Sequence, residues 1–249
     1  MARAYSHPPI IQALCEYSFE PTQTWDWTVP GLLYNEIKND FPKKREQNIL
    51  QVELQAGSQI MPPSIKGGIA GVQFLTDDEK TIIQVGPDLV ATHRLRPYTG
   101  WQNFKPAIMR ALAAYTKVAG PSAIRRLGLR YVNRIEIHGK NEVRIEDYLL
   151  AVPKVPDDIP QLFGSWAQRV EIPLLEAAGA LILQSGSVRA DEEKTAAFML
   201  DLDFVTRIQQ PLPLDEAEKR LEIAHTEVER AFEACVTDEA RKLFSEAKS

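Results

Sequence analysis

Apolar and polar residues alternate from Ile10 to Phe19, with Cys15, Tyr17 and Phe19 set against Glu16, Ser18 and Glu20. This period-two pattern predicts a half-buried strand. Leu32, Leu33, Ile37 and Phe41 then recur at helical spacing behind Pro30, which a first helical turn tolerates, and the element ends before Pro42. Lys43–Gln47 is charged and polar and reads as a solvated connection. Gln51–Leu54 reads as a short strand, and Gln55–Gly71, with its glycines and paired prolines, as a loop. Val72–Leu75, Thr81–Val85 and Leu89–Leu95 follow as an antiparallel meander with polar turns between them. Trp101, Phe104, Ile108, Leu112 and Tyr115 form one apolar stripe of a helix, with Asn103 as its expected cap and Pro106 in its first turn.

The second half repeats this order. From Ile124 to Ile137, the residues Leu127, Leu129, Tyr131, Asn133, Ile135 and Ile137 share one strand face, while Gly128, Arg130, Val132, Arg134 and Glu136 share the other. Ile145–Val152 reads as a short helix stopped by Pro153. Trp166–Leu175, Ala180–Ser187 and Thr195–Ile208 read as a second meander. Leu214, Ala217, Leu221, Ala224, Val228, Ala231 and Cys235 define a long amphipathic helix, and Thr237 caps a final short helix over Asp238–Phe244. The predicted fold class is therefore α+β. It has two pseudo-repeated halves, residues 1–123 and 124–249, each strand–helix–meander–helix, with antiparallel sheets covered on one face by helices and a shared core.

Composition narrows the classes. The chain has 249 residues, 44% hydrophobic and 25% charged, with 29 Lys and Arg against 34 Asp and Glu for a net charge of −5. These are ordinary globular values, and they exclude disordered, collagen-like and disulfide-dense chains. Cys15 and Cys235 form no CxxC, which removes zinc-ribbon and thioredoxin readings. No apolar run reaches the length of a signal peptide core or a membrane span, so the expectation is a cytoplasmic protein without membrane contact. The acidic balance argues against broad nucleic-acid binding and leaves room for a local basic patch.

At Arg126–Ile137, Arg-Leu-Gly-Leu-Arg-Tyr-Val-Asn-Arg-Ile-Glu-Ile, the chain resembles a sporadically distributed family of uncharacterised bacterial proteins of about this length. Further segments fit that family: Pro8-Pro9-Ile10 with Phe19-Glu20-Pro21, Pro97-Tyr98 with Trp101 and Phe104, Leu200–Asp203, and the end around His225, Phe232-Glu233 and Thr237-Asp238. Gln12-Ala13 departs from it, since the family usually carries a glutamate there. The resemblance implies a shared fold and no known reaction, and its patchy distribution implies an accessory role such as host defence.

Several residue groups are candidates for chemistry. Arg130 and Arg134 lie on one strand face about 13 Å apart by strand rise. With Asn133 of the same strand, and with Arg94 and Arg96 before the first long helix, they suit a bidentate anion site. The competing reading pairs them with Glu136, Asp201 or Asp203. Asp201 and Asp203 point to one strand face and supply two hard oxygen ligands for a divalent cation, but no third carboxylate and lysine accompany them in a motif. Glu222 and His225 form an E-x-x-H pair that reads as helix surface, because a di-iron bundle needs a second copy. Trp25-Asp26-Trp27 places two indoles in a loop, a candidate partner or dimer surface. Nucleophile-elbow and P-loop motifs are missing from the sequence, and no cofactor is implied. The sequence thus points to a non-enzymatic binding module for an anionic ligand, a nucleic acid or a protein partner, with a homodimer in view. The alternative is a metal-dependent hydrolase or nuclease built on Asp201 and Asp203.

Overall fold

A computed structural model describes residues 3, 5–21, 26–52, 65–138, 143–160, 165–190, 195–207 and 210–245, with side chains left aside at 47–52 and 65–70. Among the described residues, strands β1 (Ile10–Phe19), β2 (Lys43–Val52), β3 (Ile65–Leu75), β4 (Thr81–Gly86), β5 (Leu89–Leu95), β6 (Ile124–His138), β7 (Ala167–Leu174), β8 (Gly179–Val188) and β9 (Thr195–Thr206) form one antiparallel sheet. Its order is β2-β3-β4-β5-β1-β6-β9-β8-β7. The α+β class holds, with one continuous sheet in place of separate ones. Helices α1 (Val29–Ile37), α2 (Trp101–Ala119), α3 (Ala217–Cys235) and α4 (Asp238–Phe244) complete the chain.

The strand alternation builds the core. Ala13, Cys15, Tyr17 and Phe19 of β1 are buried, as are Leu127, Leu129, Tyr131 and Asn133 of β6 and Phe198, Leu200, Leu202 and Phe204 of β9. They share one face and meet α2 and α3. Phe19 stacks on Tyr115 of α2 at 4.8 Å, and the Tyr17 hydroxyl donates to the Ala217 carbonyl at 3.2 Å. Burying each large side chain contributes roughly 1.5–3 kcal/mol. One cluster runs from Leu33 of α1 through Ile83 and Leu129 to Val228 of α3. Cys15 and Cys235 are buried thiols within it.

Some local expectations fail. Lys43–Gln47 belongs to edge strand β2 instead of a connection, and residues 65–71 belong to β3 instead of a loop. An edge strand needs a ladder on one side only, so its side chains can all remain polar. In β3 the absence of a side chain at Gly71 is required: a Cβ there would lie 2.2 Å from the Val85 carbonyl oxygen. The helix expected over 145–152 shrinks to a 3₁₀ turn at Ile145–Asp147, after which Leu149 bridges to Val236. Helix α2 starts earlier than its sequence suggests. Gly100, at φ +95°, is its N-cap, Asn103 donates to the Thr99 carbonyl from inside the helix, and Pro106 lies beyond the first turn.

Candidate functional site

The face of β6 that bears Arg130 and Arg134 looks away from the core. Arg130 donates from Nε to Asp201 Oδ1 at 2.8 Å and from Nη2 to Asp201 Oδ2 at 2.5 Å, a bidentate pair across β6 and β9. Gln184 of β8 adds a donor to Asp201 at 3.3 Å, and Asp201 is buried. Arg134 donates to Glu136 Oε1 at 2.8 Å and to the Arg189 carbonyl at 3.0 Å. Arg126 is ion-paired with Glu16 of β1 at 2.6 Å. Asp203 stands opposite Arg130 in the β6–β9 register, and burial pushes its carboxyl up to about 6 against the pull of Arg126 and Arg130. Among the described residues, no cluster of three or more His, Cys, Asp or Glu has metal-holding geometry.

The remaining sequence candidates lie elsewhere. Arg94 is registered with Ala13 and so lies on the helix side of the sheet, where it donates to Thr81 Oγ1 at 2.8 Å. Arg96 is exposed beyond the end of β5. Trp27 is 55% exposed, and Trp25 lies outside the described residues. Asn133 is nearly fully buried on the opposite face from Arg130 and Arg134. The sheet therefore separates Asn133 from the two arginines of its own strand.

Asn133 instead lines a cavity of about 1010 Å³ between the N-terminal segment around Pro8 and Pro9, the Pro97–Trp101 turn, β6 and α3. Its aromatic lining includes Tyr98, Trp101 and Tyr131. Trp101 stacks on His225 at 3.9 Å and 16°, and Tyr98 meets Tyr131 edge-on at 5.6 Å. A chain of polar tips runs through this wall. The Tyr98 and Tyr131 hydroxyls are 3.1 Å apart, Tyr131 Oη is 3.5 Å from His225 Nδ1, and His225 Nε2 is 3.3 Å from Glu229 Oε1. Burial pushes the Tyr98 phenol up to about 12 and raises that of Tyr131 well above its ordinary value, so both stay protonated at neutral pH. Asn133 Nδ2 donates to the Leu200 carbonyl at 3.0 Å and, more weakly, to that of Tyr131 at 3.4 Å. Among the described residues this leaves Oδ1 as the amide's remaining acceptor.

The N-terminal wall is tied down at both sides. Tyr5 Oη donates to Glu233 Oε1 at 2.7 Å, and Arg241 Nε donates to Glu233 Oε2 at 3.0 Å. The backbone N–H groups of Ser6 and His7 donate to the carbonyls of Ser245 and Phe244, and Arg134 N–H donates to the Pro9 carbonyl. The E-x-x-H pair does not form the surface contact its spacing suggests. Glu222 pairs with Lys105 at 2.6 Å, while His225 is buried under Trp101. Sequence reasoning placed Tyr131 and Trp101 in the core and missed that they bound a cavity. The isolated polar Asn133 on an otherwise apolar strand face was the available signal.

No protein-family model matches this chain, and no curated protein matches its sequence.

Proposed function

We propose that this protein is a binding module for a planar organic ligand held in the cavity between β6, α3 and the Pro97–Trp101 turn. The observation that carries the reading is the cavity wall itself. Trp101, Tyr98 and Tyr131 supply apolar faces, and a buried amide and protonated hydroxyls supply a few fixed polar contacts. A mostly apolar concavity with a small set of convergent polar groups is the common form of a small-molecule site. The volume of about 1010 Å³ suits a drug-sized or nucleoside-sized ligand. Pro8, Pro97, Tyr98, Trp101, Asn133 and His225, all in or beside the segments that carry the family resemblance, come together here.

This reading keeps the binding-module expectation and moves its seat. Arg130 and Arg134 act in it as ion-pair partners that lock the sheet, and Asn133 is the sequence candidate carried into the site. Catalysis by Asp201 and Asp203 is not part of it, since Asp201 is already engaged by Arg130 and Gln184. We also read the two halves as a structural repeat. In support, the first strand of each half pairs with the last strand of that half's meander, β1 with β5 and β6 with β9, and a long helix follows each meander.

The test is a library of planar aromatic fragments screened by ligand-observed NMR against the wild type and Thr226→Phe. Thr226 is an exposed helix residue on the cavity rim, so the larger ring obstructs the cavity without entering the core. Fragments that bind the wild type and are lost in the variant, at an unchanged thermal midpoint, support the proposal. Fragments that bind both equally, or no binding at all, overturn it.

A further inference from the structure

The two edges of the sheet differ in chemistry. Edge strand β2 begins Lys43-Lys44-Arg45-Glu46, a charge run of the kind that keeps an edge from pairing. Edge strand β7, Ala167–Leu174, pairs with β8 on one side, and nothing among the described residues pairs with its other side. Two of its large apolar residues are exposed. Val170 is 46% exposed and Ile172 38%, although both lie on the face whose neighbours in β8, Leu183 and Leu181, are buried in the core.

The backbone fixes which groups of β7 are unpaired. Ser187 N–H donates to the Trp166 carbonyl, so the even-numbered positions of β7 turn their main-chain groups toward β8. Arg169 and Glu171 turn theirs outward. Pro173 occupies an outward position too, where its missing N–H costs the β8 ladder nothing. A second β7 laid antiparallel along this edge, with a twofold axis through Val170, places Arg169 of each copy opposite Glu171 of the other. Both pairs are hydrogen-bonded, and both are of opposite charge on one face. On the other face Val170 meets its own copy. Pro173 falls at the end of the ladder. A slip of one residue between the two strands sets outward main-chain groups against inward ones, and a larger slip sets Arg169 or Glu171 against its own kind or brings Pro173 inward.

We propose that two copies of this chain associate through β7, in the register centred on Val170, to make one continuous antiparallel sheet. The arrangement is isologous, so each contact occurs twice. It covers Val170 and Ile172, the exposed large apolar residues among those described on this strand.

Two measurements test the partner and the register. Sedimentation equilibrium in the micromolar range gives twice the chain mass of 28.0 kDa. Arg169→Glu and Glu171→Arg each give the single-chain mass, and the double exchange Arg169→Glu with Glu171→Arg recovers the dimer. In oxidative crosslinking, Val170→Cys joins two copies, because facing residues of a non-hydrogen-bonded pair sit about 4.5 Å apart, within disulfide range. Ile172→Cys does not, because its two copies are displaced by about 13 Å along the strands. The native Cys15 and Cys235 are buried and do not contribute. A monomeric wild type overturns the proposal. So does a double exchange that stays monomeric, or crosslinking of Ile172→Cys as efficient as that of Val170→Cys.

Discussion

Replacing Asp203 with Asn probes the electrostatics of the sheet face that looks away from the core. Burial holds the Asp203 carboxyl at about 6, up from an ordinary 3.8, despite Arg126 and Arg130 nearby. Between about pH 4 and pH 6 the folded chain keeps a proton that the unfolded chain has released. Stability therefore falls as pH rises through this window. Its full contribution is present below the ordinary value and is lost above about 6. At ~1.4 kcal/mol per pH unit, the interval corresponds to at most about 3 kcal/mol. Asn is neutral at every pH and has the shape of the protonated acid. The variant is expected to match the wild type near pH 4 and to exceed it by up to about 3 kcal/mol near pH 8. Urea denaturation of both proteins at pH 4, 6 and 8 measures this difference. A difference that stays constant with pH refutes the reasoning, as does a variant less stable than the wild type at pH 8.

Two further perturbations address packing and pairing. Arg130→Ala leaves the buried Asp201 with Gln184 as its side-chain donor among the described residues and is expected to cost about 2 kcal/mol; adding Asp201→Ala should return part of that loss in the same urea experiment, because the orphaned carboxylate goes with it. Gly179→Ala puts a Cβ 2.3 Å from the Phe204 ring and should lower stability by about 1–3 kcal/mol, whereas Gly31→Ala, whose Cβ meets nothing within 4 Å, should not; thermal unfolding compares the two.

The strands at the centre of the sheet were legible because each has one buried and one polar face. Burial alternates residue by residue from Ala13 to Tyr17 in β1 and from Leu129 to Ile137 in β6, so there the amino-acid pattern and the environment have the same period. The sheet edge was illegible for the opposite reason. Lys43–Glu46 lies beyond the core, where no environment imposes a period. The glycines of β3 suggested a loop because the sequence does not reveal that Val85 approaches Gly71 from the next strand. The cavity was harder still. Its walls come from the N-terminal segment, the turn before α2, β6 and α3, and only the fold brings them together. Spacing along α3 suggested Glu222 as the partner of His225. The actual contacts are Trp101, Tyr131 and Glu229, two of which come from distant elements. The sequence did single out Asn133, but set it beside arginines that project from the other side of the sheet.

The seam between β1 and β6 also bears on how the chain is made. β1 leaves the ribosome before β5, with which it pairs, yet its second neighbour, β6, is synthesised only after α2. Until then the nascent chain carries an open strand edge along Ile10–Phe19, with Cys15, Tyr17 and Phe19 on its apolar face. Such an edge is a template for pairing with other chains. Translation speed across residues 96–138 therefore sets how long that edge waits, and slow codons there should favour aggregation over the native seam.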